Sequence, residues 1–204
     1  MKLYHFPETR GTRPRWMLEE LGVPYEVVRV DMEANQHLTP GHLARHPLGR
    51  IPVLEDGDLT FFESSAMCMH LADKYPEKGL APKPGTAERA LYYQWFCFAM
   101  TEIEPYLTEL STHTWELPEA QRIPDVIPYA KKRFSVAAKA LDERLQGKTY
   151  ALGERFSAVD VVLGCLLSWA FRCELLFPFP TLMAYRERVL ARPAAQKLFA
   201  AENP

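Results

Sequence analysis

The sequence has little of several things that would narrow its function at once. Lysine and arginine (24) nearly balance aspartate and glutamate (26), which leaves a formal charge of only −2. Such a chain has no field for gathering phosphate backbones or anionic membrane surfaces, and no block of like charges breaks the balance. Nucleic acid and membrane are therefore not expected as partners. No run approaches the ~18 apolar residues of a membrane span, and MKLYHFPETR at the start does not resemble a secretory signal, so the cytoplasm is the expected location. Cysteine is sparse as well. Cys68, Cys97, Cys165 and Cys173 lie far apart, with no Cys-x-x-Cys and no histidine at zinc-ligand spacing. Neither a disulfide framework nor a metal is expected, and three of the four fall in apolar helical stretches that predict buried, reduced thiols.

What is present suits a globular chain with a disulfide-free core: 48% apolar residues, 25% charged residues and 17 prolines over 204 residues. Lys2 to Phe6 read as a strand, TRPRWMLEELG as a helix stopped by Gly22, and Tyr25 to Asp31 as a second strand. Strand, helix and strand with short joins imply a right-handed parallel crossover. IPVLEDGDLTFFE reads as two strands around Asp56-Gly57, a hairpin signal because both residues tolerate positive φ. SSAMCMHLADKY follows as a helix capped by Ser64 or Ser65, before the breaker PEKGLAPKPGT. From Ala87 onward only helical periodicity recurs. The chain thus reads as α/β followed by all-α, with a first domain over 1–77 and a second over 86–204. Ser157 and Asp160 stand at capping-box spacing before Val161-Val162-Leu163, a folding feature.

This plan resembles that of the soluble glutathione S-transferases: a thioredoxin-like domain, then an all-helical domain. GRIPVLEDGDLTFFESSAM carries the most specific likeness, and LEELGVPYE and RPAAQKLF are weaker ones. The resemblance implies a transferase that uses glutathione as co-substrate, without a metal, and conjugates it to small hydrophobic electrophiles in detoxification. It implies a cis Ile51-Pro52 bond, with the Ile51 backbone holding the cysteinyl part of glutathione; taken alone, Pro52 also suits an ordinary strand edge. Glu63 and Ser64 would receive the γ-glutamyl end, where a helix start favours a carboxylate. His37 and Arg50 would meet the glycyl carboxylate in a theta-like pattern. A homodimer is implied too, in which Glu102 or Glu104 of the neighbour reaches the γ-glutamyl ammonium.

Glutathione transfer needs a thiolate, whereas a free thiol has a pKa of about 8.5, so a donor or positive field must stabilise the sulfur anion. The family places that group at the start of the first helix. PETRGTR puts Thr9 four residues before Arg13, where theta and delta members carry serine, and Arg10 beside it is a cationic alternative. Thr12 is a third candidate or the helix N-cap, and Tyr4 lies early for a catalytic tyrosine. Met100, Thr101 and Tyr106 are the candidates for the apolar substrate site among many helical aromatics. A non-catalytic binding or regulatory protein of the same fold is the alternative, because the usual serine or tyrosine is missing. A maleylacetoacetate isomerase is not expected, since the chain lacks Ser-Ser-Cys near residue 10.

Overall fold

The computed structural model describes residues 1–202. Alternation in KLYH builds β1 (Lys2–His5), whose Leu3 is buried while Tyr4 turns to the other sheet face. After a turn comes α1 (Thr12–Leu21), which buries Trp16, Met17, Leu18 and Leu21 and ends at Gly22 in the left-handed region, as the sequence indicates. The cap falls elsewhere than expected: Gly11 is the N-cap and Thr12 the first helical residue, buried at 6% exposure.

β2 (Glu26–Arg29) pairs in parallel with β1, so α1 is the crossover. A single 3-10 turn (Gln36–Leu38) and the short α2 (Pro40–Leu43) lead to β3 (Val53–Asp56) and β4 (Leu59–Phe62), giving sheet order β2-β1-β3-β4. β3 runs antiparallel to both neighbours. The hairpin turn lies one residue later than expected, since Asp56 pairs with Leu59 and Gly57-Asp58 make the turn. Asp56 stays in the strand while its carboxylate takes His70 and Lys74 of α3 (Ser64–Lys74).

A second compact unit, Pro82–Leu190, is built from helices and their connections. Thr86 caps α4 (Ala87–Phe98) by accepting the Arg89 N–H. A π-helical turn (Ala99–Ile103) joins it to α5 (Glu104–Ser111), and a second (Thr112–Glu116) follows. α6 (Val126–Leu145), α7 (Ala158–Arg172) and α8 (Pro180–Leu190) complete this unit. The capping box at Ser157 and Asp160 is formed as the spacing predicts.

The last helix, α9 (Pro193–Glu202), was expected to belong with the helical domain, yet it groups with the first unit, Met1–Ala81. Arg192 makes two bonds to Glu20 (2.8 and 2.7 Å), Lys197 pairs with Glu19, and Phe199 packs edge-on against Trp16. Periodicity gives the helix but not the surface it covers. Of the cysteines only Cys68 is buried; Cys97 is exposed, because it sits on the outer side of α4. Among the described residues no helix is long and apolar enough to cross a membrane.

Candidate functional site

The sheet unit brings most of the expected glutathione-binding residues onto its loops and helix starts. The Ile51-Pro52 bond is cis. Ile51 precedes β3, the residue is only 8% exposed, and its backbone N–H and C=O take no hydrogen bond among the described residues. Buried surroundings with open backbone groups are unusual, since buried peptide groups are nearly always paired.

Two histidines that the sequence reading did not single out brace this loop. His42 Nε2 donates to the Arg50 carbonyl at 2.8 Å, and His46 Nδ1 accepts the Leu48 N–H at 3.2 Å. His46 also stacks against Phe62 (4.4 Å), and burial pushes its pKa below the ordinary value despite Glu63 nearby. Their i, i+4 spacing was a usable signal, because it puts both rings on one side of a helical turn. Gly49 is required here: its φ is 58°, and an added Cβ would lie 2.9 Å from the His37 carbonyl. That close approach brings the His37 turn beside Gly49-Arg50. His37 is half-buried, its Nδ1 has no partner among the described residues, and Arg50 is exposed, so the two expected carboxylate ligands neighbour each other.

Glu63 is the N-cap of α3, so neither Ser64 nor Ser65 takes that position; Ser64 is the first helical residue. Glu63 has φ 78° and ψ 104°, a sparsely populated conformation for a residue with a Cβ. It gives the helix no side-chain cap. Ser64 is 4% exposed, and its Oγ accepts from Arg13 Nη1 at 3.0 Å, a contact across 51 residues that no local pattern reveals.

The Thr9 hydroxyl donates to the Phe6 carbonyl (2.6 Å) and accepts the Gly11 N–H (3.2 Å), so its one proton is committed to the turn. The N–H groups of Thr12 and Arg13 go to the carbonyls of Thr9 and Arg10. A Cβ on Gly11 would meet His5 Nδ1 at 2.4 Å, so the buried His5 ring fills the space behind this turn. Arg10 is exposed. The Tyr4 hydroxyl donates to Glu55 (2.9 Å), and burial and Glu55 raise its pKa.

In the helical unit, Met100 and Thr101 lie in the π-helical turn, a distortion common at functional sites. Thr101 donates to the Cys97 carbonyl (2.9 Å). The Tyr106 hydroxyl accepts from Arg133 (3.0 Å), whose guanidinium also lies over the Tyr106 ring. Glu104, the first residue of α5, is buried at 7% exposure. Glu102 is 46% exposed and is thus the acid on this stretch with room to meet another molecule. No group of three His, Cys, Asp or Glu among the described residues is arranged to hold a metal.

Comparison with known proteins agrees with this architecture. The glutathione S-transferase N-terminal domain family matches residues 1–73, and the C-terminal domain family matches residues 99–193. A probable glutathione S-transferase GSTF1 of Oryza sativa subsp. japonica is 32% identical over 96% of this chain and 93% of its own. The disulfide-bond oxidoreductase YfcG of Escherichia coli is 28% identical over 94% and 91%. A structure described as a ternary complex of BphK, a bacterial GST, superimposes with a TM-score of 0.89 at 29% identity, covering all of both chains. The sheet order, the cis bond before β3, the strained acid before α3 and these matches lead to one conclusion: the chain belongs to the glutathione S-transferase family.

Proposed function

We propose that the protein is a glutathione transferase that conjugates the thiolate of glutathione to small hydrophobic electrophiles. The Ile51 backbone carries this reading. Its open N–H and C=O, just before β3, suit an extended peptide added as one more strand. The ends of glutathione then have complementary groups: His37 and Arg50 for the glycyl carboxylate, Ser64 for the γ-glutamyl carboxylate, and Glu63 for the ammonium. Met100, Thr101 and Tyr106 are the proposed contacts of the electrophile.

For the chemistry, the sulfur loses its proton to solvent and attacks the electrophilic carbon. An S–C bond forms, and the leaving group departs with its electron pair or, in an addition, the product takes up a proton. Thr9 and Arg10 are the proposed stabilisers of the thiolate. Thr9 must turn its proton from the Phe6 carbonyl to the sulfur, exchanging a neutral acceptor for a charged one, which is the stronger bond. Ultraviolet titration of bound glutathione tests this. The thiol pKa should lie below the free value of about 8.5. Thr9→Val should raise it and lower turnover with an aryl halide, and Arg10→Ala should act in the same direction. A wild type with no depression overturns the thiolate assignment. A cytoplasmic homodimer, with Glu102 rather than Glu104 reaching the partner's ligand, belongs to the same proposal; light scattering that gives a fully active monomer contradicts it.

A second reading, glutathione-dependent disulfide reduction, is favoured by the oxidoreductase relative. One glutathione thiolate displaces a sulfur of the substrate disulfide, and a second glutathione resolves the mixed disulfide. Two glutathione thiols supply both electrons and become oxidised glutathione, so the protein needs no cysteine. Turnover of a small dialkyl disulfide without turnover of an aryl halide selects this reading. Binding without either turnover selects a carrier or regulator.

A further inference from the structure

The Arg13–Ser64 contact lies behind the proposed γ-glutamyl end and is used by nothing described so far. Arg13 is 2% exposed, and its Nη1 donates to Ser64 Oγ at 3.0 Å. Guanidinium has only donors, so Ser64 Oγ must act as acceptor toward Arg13, and the hydroxyl proton must go elsewhere. That proton has no acceptor among the described residues, although Ser64 is itself 4% exposed. A buried hydroxyl with an unspent proton is a site waiting for an acceptor. Three features select an anion: the cation directly behind the hydroxyl, the start of the eleven-residue α3 around it, and an N-cap that supplies no oxygen of its own. A hydroxyl that accepts from a cation is polarised and donates more strongly.

We propose that Arg13 is a positioning residue: it aims the Ser64 hydroxyl and backs it with positive charge, so that the pair reads the α-carboxylate at the γ-glutamyl end of glutathione. The proposal rests on the glutathione reading above. Its chemical content is narrower, because it assigns recognition of one carboxylate to one pair. The pair supplies two directional steps in series, from guanidinium to hydroxyl and from hydroxyl to carboxylate. A ligand with the same backbone but no α-carboxylate leaves the Ser64 proton without its acceptor.

The test compares glutathione with its decarboxylated analogue, 4-aminobutyryl-cysteinyl-glycine, by calorimetric titration. The proteins are the wild type, Arg13→Lys, Arg13→Met and Ser64→Ala, each checked by thermal melting. The wild type should prefer glutathione by at least about tenfold, the scale of a hydrogen bond to a charged group. Arg13→Met should remove most of that preference, with the kinetic loss falling mainly on the glutathione KM, and Arg13→Lys should keep part of it. A folded Arg13→Met protein that retains the full preference makes Arg13 a structural residue and overturns the proposal. Where Arg13→Met does not fold, Ser64→Ala decides: it keeps the guanidinium and removes the hydroxyl, and an unchanged preference overturns the proposal equally. A wild type that binds neither peptide overturns the glutathione reading along with it, whereas binding without discrimination overturns this inference alone.

Discussion

The helix that begins at Ala158 and the helix that begins at Ser64 face the same physical problem, four N–H groups without intrahelical acceptors, and solve it in opposite ways. At α7 the chain forms a capping box and gathers its own polar groups around the start. Asp160, fully buried, accepts from the Ser157 N–H and hydroxyl (2.8 and 2.9 Å), the Ala151 N–H (2.8 Å) and the Tyr185 hydroxyl (2.6 Å). Burial raises the pKa of its carboxyl, while the four donors work to lower it. At α3 the N-cap is a strained glutamate without a capping bond, and the first residue holds a hydroxyl whose proton the protein does not use. One start is closed for stability. The other is left open at a cost in backbone strain.

Removing the central acid of the closed start should have the largest effect. Asp160→Ala strands four donors in the interior, and denaturant titration should show a loss of about 3–5 kcal/mol. Glutathione affinity of the molecules that remain folded should hardly change. At the open start the order reverses. Ser64→Ala should weaken glutathione binding by about 1.5–3 kcal/mol in calorimetry, with a smaller loss of stability than Asp160→Ala. A stability loss equal to that of Asp160→Ala would erase the distinction between the two starts.

Glycine sharpens the comparison further. Glu63→Gly relieves a φ of 78° and should raise stability by about 1 kcal/mol while lowering glutathione affinity. Ser157→Gly should lower stability and leave affinity alone. If both glycine variants destabilise, Glu63 is not strained.

Much of this was legible because it is local. The Ser157–Asp160 box is fixed within a few residues, so spacing reveals it, whereas the cis bond at Pro52 and the acid-serine pair before α3 were legible through the family likeness of GRIPVLEDGDLTFFESSAM, itself a local stretch. The rest depends on neighbours distant in the chain. Nothing near Arg13 indicates that its guanidinium reaches Ser64, and nothing in the periodicity of α9 says that it covers α1. The partners of Thr9 were not legible for a different reason. A hydroxyl at the right spacing says nothing about where its proton goes, and here the turn through Phe6 and Gly11 takes it. Glu104 and Glu102 are two residues apart, and only packing separates the buried acid from the exposed one.

The smallest predicted effect lies away from both helix starts. Burial works to raise the pKa of Asp56, but its bonds to His70 and Lys74 prevail and hold it below the ordinary carboxylate value. A depressed acid contributes stability that is present above its unfolded pKa of about 3.9 and is lost as pH falls through the folded value. Urea midpoints measured from neutral pH downward should therefore fall on the acid limb, and Asp56→Asn should flatten that limb slightly. An unchanged limb in the variant assigns the acid sensitivity to other carboxylates.

The return of α9 to the first unit also has a consequence in time. A ribosome releases Met1–Ala81 long before it makes the helix that covers Trp16, because the whole of Pro82–Leu190 is synthesised in between. Until then the α9-facing side of α1 is uncovered, and Glu19 and Glu20 lack Lys197 and Arg192. The sheet is encoded first, yet the unit around it is complete only once α9 has been made, after the whole of Pro82–Leu190.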